Sequence, residues 1–146
     1  RIQECLDLEA EWCKVNNCDQ QEGTGNERCA LIYALHNFEA LGLTGGILHV
    51  NGKIVAFTFG MPINHETFGV HVEKADTSIE GAYAMINYEF ANRIPEQYIY
   101  INREEDLGLE GLRKAKLSYQ PHTLLEKFIV GLKDDPAGTA CFSHEG

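Results

Sequence analysis

YIYINREEDLGLEGLRKAKLSYQPHTLLEKF, Tyr98 to Phe128, is the stretch on which the fold turns. It opens with Tyr98, Ile99, Tyr100 and Ile101. Aromatic and β-branched side chains pack well on a pleated surface, so a strand is predicted over 98–102. An acidic cluster follows at Glu104, Glu105 and Asp106, and Gly108 interrupts any regular element. From Leu109, the residues Leu112, Lys116 and Tyr119 recur every three or four positions. That spacing predicts a helix over 109–119 carrying Arg113, Lys114 and Lys116. Gln120 precedes Pro121 and so disfavours further helix. A last strand is predicted over 124–130.

Working outward, the residues before this stretch read as its partners. Thr67 to Lys74 is a predicted strand, and Thr77-Ser78-Ile79-Glu80 fits a capping box opening a helix over 79–93. Ile79, Tyr83, Ile86 and Phe90 give that helix its apolar stripe, and Pro95 closes it. Strand, helix and strand in that order place two parallel strands side by side. Upstream, Asn51-Gly52 marks a hairpin between strands 47–50 and 53–60, since both residues tolerate the positive φ of a type I′ turn. The run IVAFTF, Ile54 to Phe59, is apolar on both faces and reads as a central, covered strand. Two amphipathic helices come first: 2–15, with Cys5, Leu8, Trp12 and Val15 on one face, and 28–41, with Leu31, Leu35, Phe38 and Leu41, stopped by Gly42. Asp134 to Gly146 has no periodicity and reads as a polar tail. The expected architecture is α/β (α+β): one lobe over 1–133, with a mixed sheet flanked by helices.

The composition narrows the function. The net charge is −10, which argues against DNA, because phosphate neutralisation dominates such binding. No apolar run nears the roughly 20 residues needed to span a bilayer. The chain begins at Arg1 rather than Met, so a fragment or trimmed chain is expected. The five cysteines, at 5, 13, 18, 29 and 141, match no CxxC zinc pattern, and reduced thiols in a cytoplasmic protein are expected. No HExxH, GxSxG or P-loop motif is present.

The strings NREEDLGLEGLRKAKLSYQP and HVEKADTSIEGAYAMINYEF closely resemble the DUF2156 family, proteins related to the C-terminal domain of bacterial phosphatidylglycerol lysyltransferase. The resemblance covers about Trp12 to Phe128. It implies a fold like the GNAT acyltransferases, often as two lobes in tandem, with this chain as the C-terminal lobe and an N-terminal lobe of the same protein as its partner. It further implies an acyl- or aminoacyl-transferase whose donor is an acyl-CoA or an aminoacyl-tRNA.

Ligands of open α/β sheets bind beyond the carboxyl ends of the strands. Glu73 and Asn102 are expected to end neighbouring strands there. Carboxylates suit a donor ammonium, so Glu73, Glu105 and Asp106 are the candidate catalytic residues. His71, Lys74, Asn102, Glu104, Arg113 and Lys116 are the candidate substrate-binding residues, with Arg113 better suited than a lysine to a bidentate grip. The resemblance places a phosphate-binding turn at Ala75 to Gly81. Its sequence, ADTSIEG, has one glycine, no arginine, and the acids Asp76 and Glu80, which oppose a phosphate. Two alternatives therefore stay open. The charge run is a solvated loop with surface pairs, or the chain is a non-catalytic lobe that binds a small polar ligand or supports a second lobe.

Overall fold

The computed structural model describes residues 1–18, 24–104, 114, 116–126, 128, 130 and 131, with 24–26 by backbone alone. The chain divides into two units, Arg1–Glu105 and Asp106–Gly146. The first contains α1 (Ile2–Asn16), α2 (Thr24–His36), β1 (Thr44–Val50), β2 (Lys53–Pro62), β3 (Thr67–Ala75), α3 (Ala82–Ala91) and β4 (Tyr100–Asn102). The sheet order is β1-β2-β3-β4. β1, β2 and β3 pair antiparallel, and β3 and β4 pair parallel. The predicted hairpin closes at Asn51 and Gly52, both at positive φ, and β2 is buried from Ile54 to Gly60.

Helices cover both faces of the sheet. Leu8, Leu31 and Leu35 of α1 and α2 pack on Phe57, Phe59 and Val72. On the other face, Ile86 of α3 packs on Ala56 and Ala75, and Phe90 on Phe68 and Val70. Burying each of these large side chains contributes about 1.5–3 kcal/mol.

Val70 and Val72 thus serve opposite faces, although strict alternation would put them on the same one. The cause is a β-bulge: Gly60 faces Val70 while Phe59 faces Val72, which leaves His71 as the extra residue. One inserted residue reverses the side-chain phase of everything after it. Gly60 is the counterpart of this bend. A Cβ built there would lie 1.9 Å from the Gly69 carbonyl oxygen.

Several elements differ from the sequence-based expectation. α3 starts at Ala82, after Gly81 at φ 81°, and no side chain caps it. The expected capping box does not form because Asp76 takes the Ser78 backbone N–H (2.9 Å) and hydroxyl (2.6 Å) into a tight turn. α2 ends at His36, where the Asn37 side chain donates to the Tyr33 carbonyl and the chain loosens into turns up to Gly42. Val15 is 65% exposed; Glu9, paired with Arg28 at 3.3 Å, occupies the buried stripe instead. Cys13 and Cys18 form a disulfide rather than two thiols, because Asn17 turns left-handed and brings the two Cα atoms to 5.0 Å. Cys5 and Cys29 are free.

In the second unit, Lys114, Lys116 and Leu117 are helical, and Gln120 at φ 52° follows the last turn. Ser118 and Tyr119, predicted as helix, form a turn, and residues 109–113 and 115 lie outside the described residues. Of the predicted 124–130 strand, residues 124–126, 128 and 130 adopt neither helix nor strand. Leu124, Leu125, Phe128 and Val130 are exposed, so no burial selects an extended conformation there. Among the described residues, no helix is long and apolar enough to cross a membrane.

The bulge supplies the first prediction. Gly60→Ala must push the Gly69 carbonyl aside, and overpacking of this kind costs about 1–3 kcal/mol. Urea unfolding of the variant should show a clear loss of stability. An unchanged midpoint would mean that the two strands do not approach this closely.

Candidate functional site at the ends of β3 and β4

The parallel ladder of β3 and β4 runs only from Thr67↔Tyr100 to Gly69↔Asn102. β3 continues to Ala75, so His71 and Glu73 project where β4 has already ended. Side chains of the next two residues fill this role. Glu104 stands level with His71, and its Oε1 lies 2.5 Å from His71 Nδ1. Arg103 reaches further along β3: its Nη2 donates to Glu73 Oε1 at 2.8 Å, and its Nη1 donates to the Asn87 side-chain oxygen on α3.

Local chemistry shapes the turn that delivers them. The Asn102 side-chain oxygen accepts the Glu104 backbone N–H at 2.8 Å, and Glu104 takes φ 61°. A left-handed conformation is costly for a non-glycine residue by about 1–2 kcal/mol. The contacts of Glu104 with Asn102 and His71 offset that cost. Burial is graded across the two pairs: the Glu73 side chain is 11% exposed and Arg103 22%, whereas His71 is 32% and Glu104 40%. The inner pair is therefore built into the fold, and the outer pair is open to a ligand.

The structure brings His71, Glu73, Asn102 and Glu104 of the candidate residues to one place. Lys74 goes elsewhere. It pairs across the ladder with Phe57 and shares the α1/α2 face. There its Nζ lies 2.8 Å from Glu27 Oε1 and 3.6 Å from the centre of the Trp12 ring. Trp12 in turn donates its indole N–H to the Tyr83 hydroxyl at 2.6 Å. Burial keeps the Tyr83 phenol above its ordinary pKa, so it stays neutral and serves as the joint between α1 and α3. Lys116 belongs to the second unit and is described only within it. Glu105, Asp106 and Arg113 lie outside the described residues.

Arg103 was not among the residues singled out from sequence. Its one visible signal is position: a cation directly after a strand that runs parallel to one carrying an acid. The partner is thirty residues away, and periodicity says nothing about such a pairing.

The β3–α3 turn carries a charged carboxylate. Hydrogen bonds from the Ser78 hydroxyl and backbone hold the Asp76 carboxyl below its ordinary pKa, so it is charged at neutral pH. A groove of about 330 Å³ runs beside this turn, with Leu8, Trp12, Ile54 and Ala75 among its lining and carboxylates of Glu4, Asp7, Glu11 and Asp76 around it. His71, Glu73 and Arg103 do not line it, so the polar pairs and this groove are separate features.

Similar solved structures agree with this architecture. A conserved protein of unknown function from Bacteroides thetaiotaomicron VPI-5482 is 96% identical and superposes with a TM-score of 0.82, over 85% of this chain and 42% of that one. The present chain thus spans less than half the length of that relative. A ribosomal-protein-alanine N-acetyltransferase from Brucella melitensis biovar Abortus 2308 shares 13% identity at a TM-score of 0.62, over 90% of this chain and 93% of the other. A possible acetyltransferase from Clostridium difficile 630 shares 8% at 0.58, over 89% and 92%. At such identities the likeness concerns the fold alone, and that fold is the GNAT acetyltransferase one. No curated protein matches the chain significantly. The family model described as phosphatidylglycerol lysyltransferase, C-terminal, matches residues 1–131, nearly the whole chain, and the chain belongs to that family.

Proposed function

We propose that this lobe transfers an aminoacyl group from an ester donor to a hydroxyl or amine acceptor, with the reaction at the ends of β3 and β4. The observation that carries the reading is the end of the β3–β4 ladder at Asn102, beyond which His71 and Glu104 form an accessible pair. The family description adds phosphatidylglycerol as a candidate acceptor and a lysyl group as a candidate cargo.

In this mechanism Glu104 takes the Nδ1 side of His71 and orients the ring. The Nε2 nitrogen then accepts the acceptor's proton as its oxygen or nitrogen attacks the donor carbonyl. The new bond to the carbonyl carbon forms, the donor's ester C–O bond breaks, and the proton passes from His71 to the leaving oxygen. Glu73, neutralised by Arg103, acts through that ion pair rather than on the cargo.

Purified protein, and the longer Bacteroides thetaiotaomicron relative, can be tested with labelled lysyl-tRNA and phosphatidylglycerol vesicles. His71→Ala should slow transfer by about 10²–10⁴-fold, the usual contribution of a positioned acid–base group, with little change in melting temperature. Transfer at the wild-type rate by His71→Ala would remove the histidine from the mechanism. No transfer by either protein would remove the activity.

A second reading has its own support. Asp76 carries a full negative charge in the turn where an acyl-CoA pyrophosphate would meet the start of α3. A lobe with that turn disfavours an ordinary acetyl-CoA donor and suits a non-catalytic, ligand-binding role equally well. Calorimetry with acetyl-CoA should therefore register weak binding or none. Asp76→Asn should tighten any residual binding by about two- to five-fold, the effect of removing one solvent-screened charge several ångströms from a phosphate. Tight binding by the unaltered chain would overturn the argument from Asp76.

A further inference from the structure

Residues 103 and 104 lie past the last ladder pair, so backbone hydrogen bonding to β3 does not hold them. β4 itself is three residues long, and Tyr100 and Ile101 are exposed. Yet Glu104 meets His71 at 2.5 Å from a left-handed backbone conformation that the chain would not choose unaided. Something must fix this segment. The Asn102 side chain sets the turn locally, but a turn does not fasten the segment to β3 or to α3. The Arg103 guanidinium does: one nitrogen meets Glu73 on β3, and another meets Asn87 on α3.

We propose that Arg103 is the positioning residue of this site: by gripping Glu73 and Asn87 together it sets the chain after β4 so that Glu104 reaches His71. The inference rests on the reading of His71 as proton acceptor given above. Arginine suits the task because its planar fork presents several N–H groups in fixed directions, so two acceptors on different elements define its placement. Lysine would keep the charge but lose the fork. Glu73 is the right anchor because it is mostly buried. A carboxylate with 11% of its side chain exposed binds a cation more firmly than one fully in water, where ion pairs are weak.

The bulge at His71 makes the arrangement possible. Glu73 pairs with Thr58, whose methyl group faces the same space above Gly46 as Phe90 and Ile86 of α3. Glu73 therefore shares the α3 face, where Asn87 also lies. Without the extra residue Glu73 would turn to the α1/α2 face, and a single guanidinium would not span it and Asn87.

The test compares Arg103→Ala, Arg103→Lys and Asn87→Ala with Leu31→Val, a core control that destabilises the fold away from this site. Long-range ¹H–¹⁵N spectra report the His71 ring at neutral pH without needing any activity. Arg103→Ala should give a His71 spectrum like that of Glu104→Gln, in which the pair is broken. Arg103→Lys should restore part of the wild-type signature, and Leu31→Val should keep all of it. In the lysyl transfer assay, Arg103→Ala should lower kcat at least ten-fold while KM changes less than two-fold, with partial rescue by lysine. A wild-type His71 spectrum in Arg103→Ala overturns the proposal whether or not transfer is detected. A changed spectrum with transfer that is indifferent to His71→Ala upholds the positioning role and discards the histidine mechanism. If Arg103→Ala does not fold, Asn87→Ala decides: a His71 spectrum shifted partway supports the proposal, and an unchanged one overturns it.

Discussion

A single inserted residue in β3 governs most of what this lobe presents. Before His71, the strand sends Phe68 and Val70 toward Phe90; after it, Val72 joins Phe57 and Phe59 beneath α1 and α2. Both halves of the strand bury their apolar side chains, but on faces that regular alternation would not combine. The same phase change puts Glu73 on the α3 side and Lys74 on the other. Gly60 accommodates the bend, since any side chain there would meet the Gly69 carbonyl.

Charge follows from that geometry. The chain carries a net charge of −10, and burial is permitted only to charges that face an opposite one. Glu9 faces Arg28, Lys74 faces Glu27 and lies over the Trp12 ring, and Glu73 faces Arg103. The first two tie helices to each other or to the sheet on the α1/α2 side. The third lies where the parallel strands part, beside the more open His71–Glu104 pair. The inner pair is the more buried of the two and the outer pair the more exposed.

The fold gathers its polar pairs at the β3–β4 divergence, whereas the β3–α3 turn carries the charged carboxylate of Asp76. The two features lie apart along β3.

The sequence by itself determined the hairpin at Asn51-Gly52, the covered central strand, the helix–sheet order as far as Asn102 and the parallel pairing of the strands over 67–74 and 98–102, found at 67–75 and 100–102, because each rests on local periodicity and turn chemistry. It also put Glu73 and Asn102 near the ends of neighbouring strands, while the contact of His71 with Glu104 is visible only in the folded chain. Lys74 is a substrate-binding candidate by sequence, and only the tertiary structure puts it on the far face with Glu27 and Trp12. The tertiary structure alone decided four further points: the bulge at His71, the Cys13–Cys18 bridge, the Asp76 turn in place of a capping box, and Arg103 as the residue that joins β3 to α3. The physical reason differs among the four. A bulge depends on what the neighbouring strand can accommodate, a disulfide on where a turn returns the chain, a turn on which acceptor reaches an N–H first, and an ion pair on two side chains thirty residues apart. Local patterns select which elements form; contacts between elements select which side chains meet.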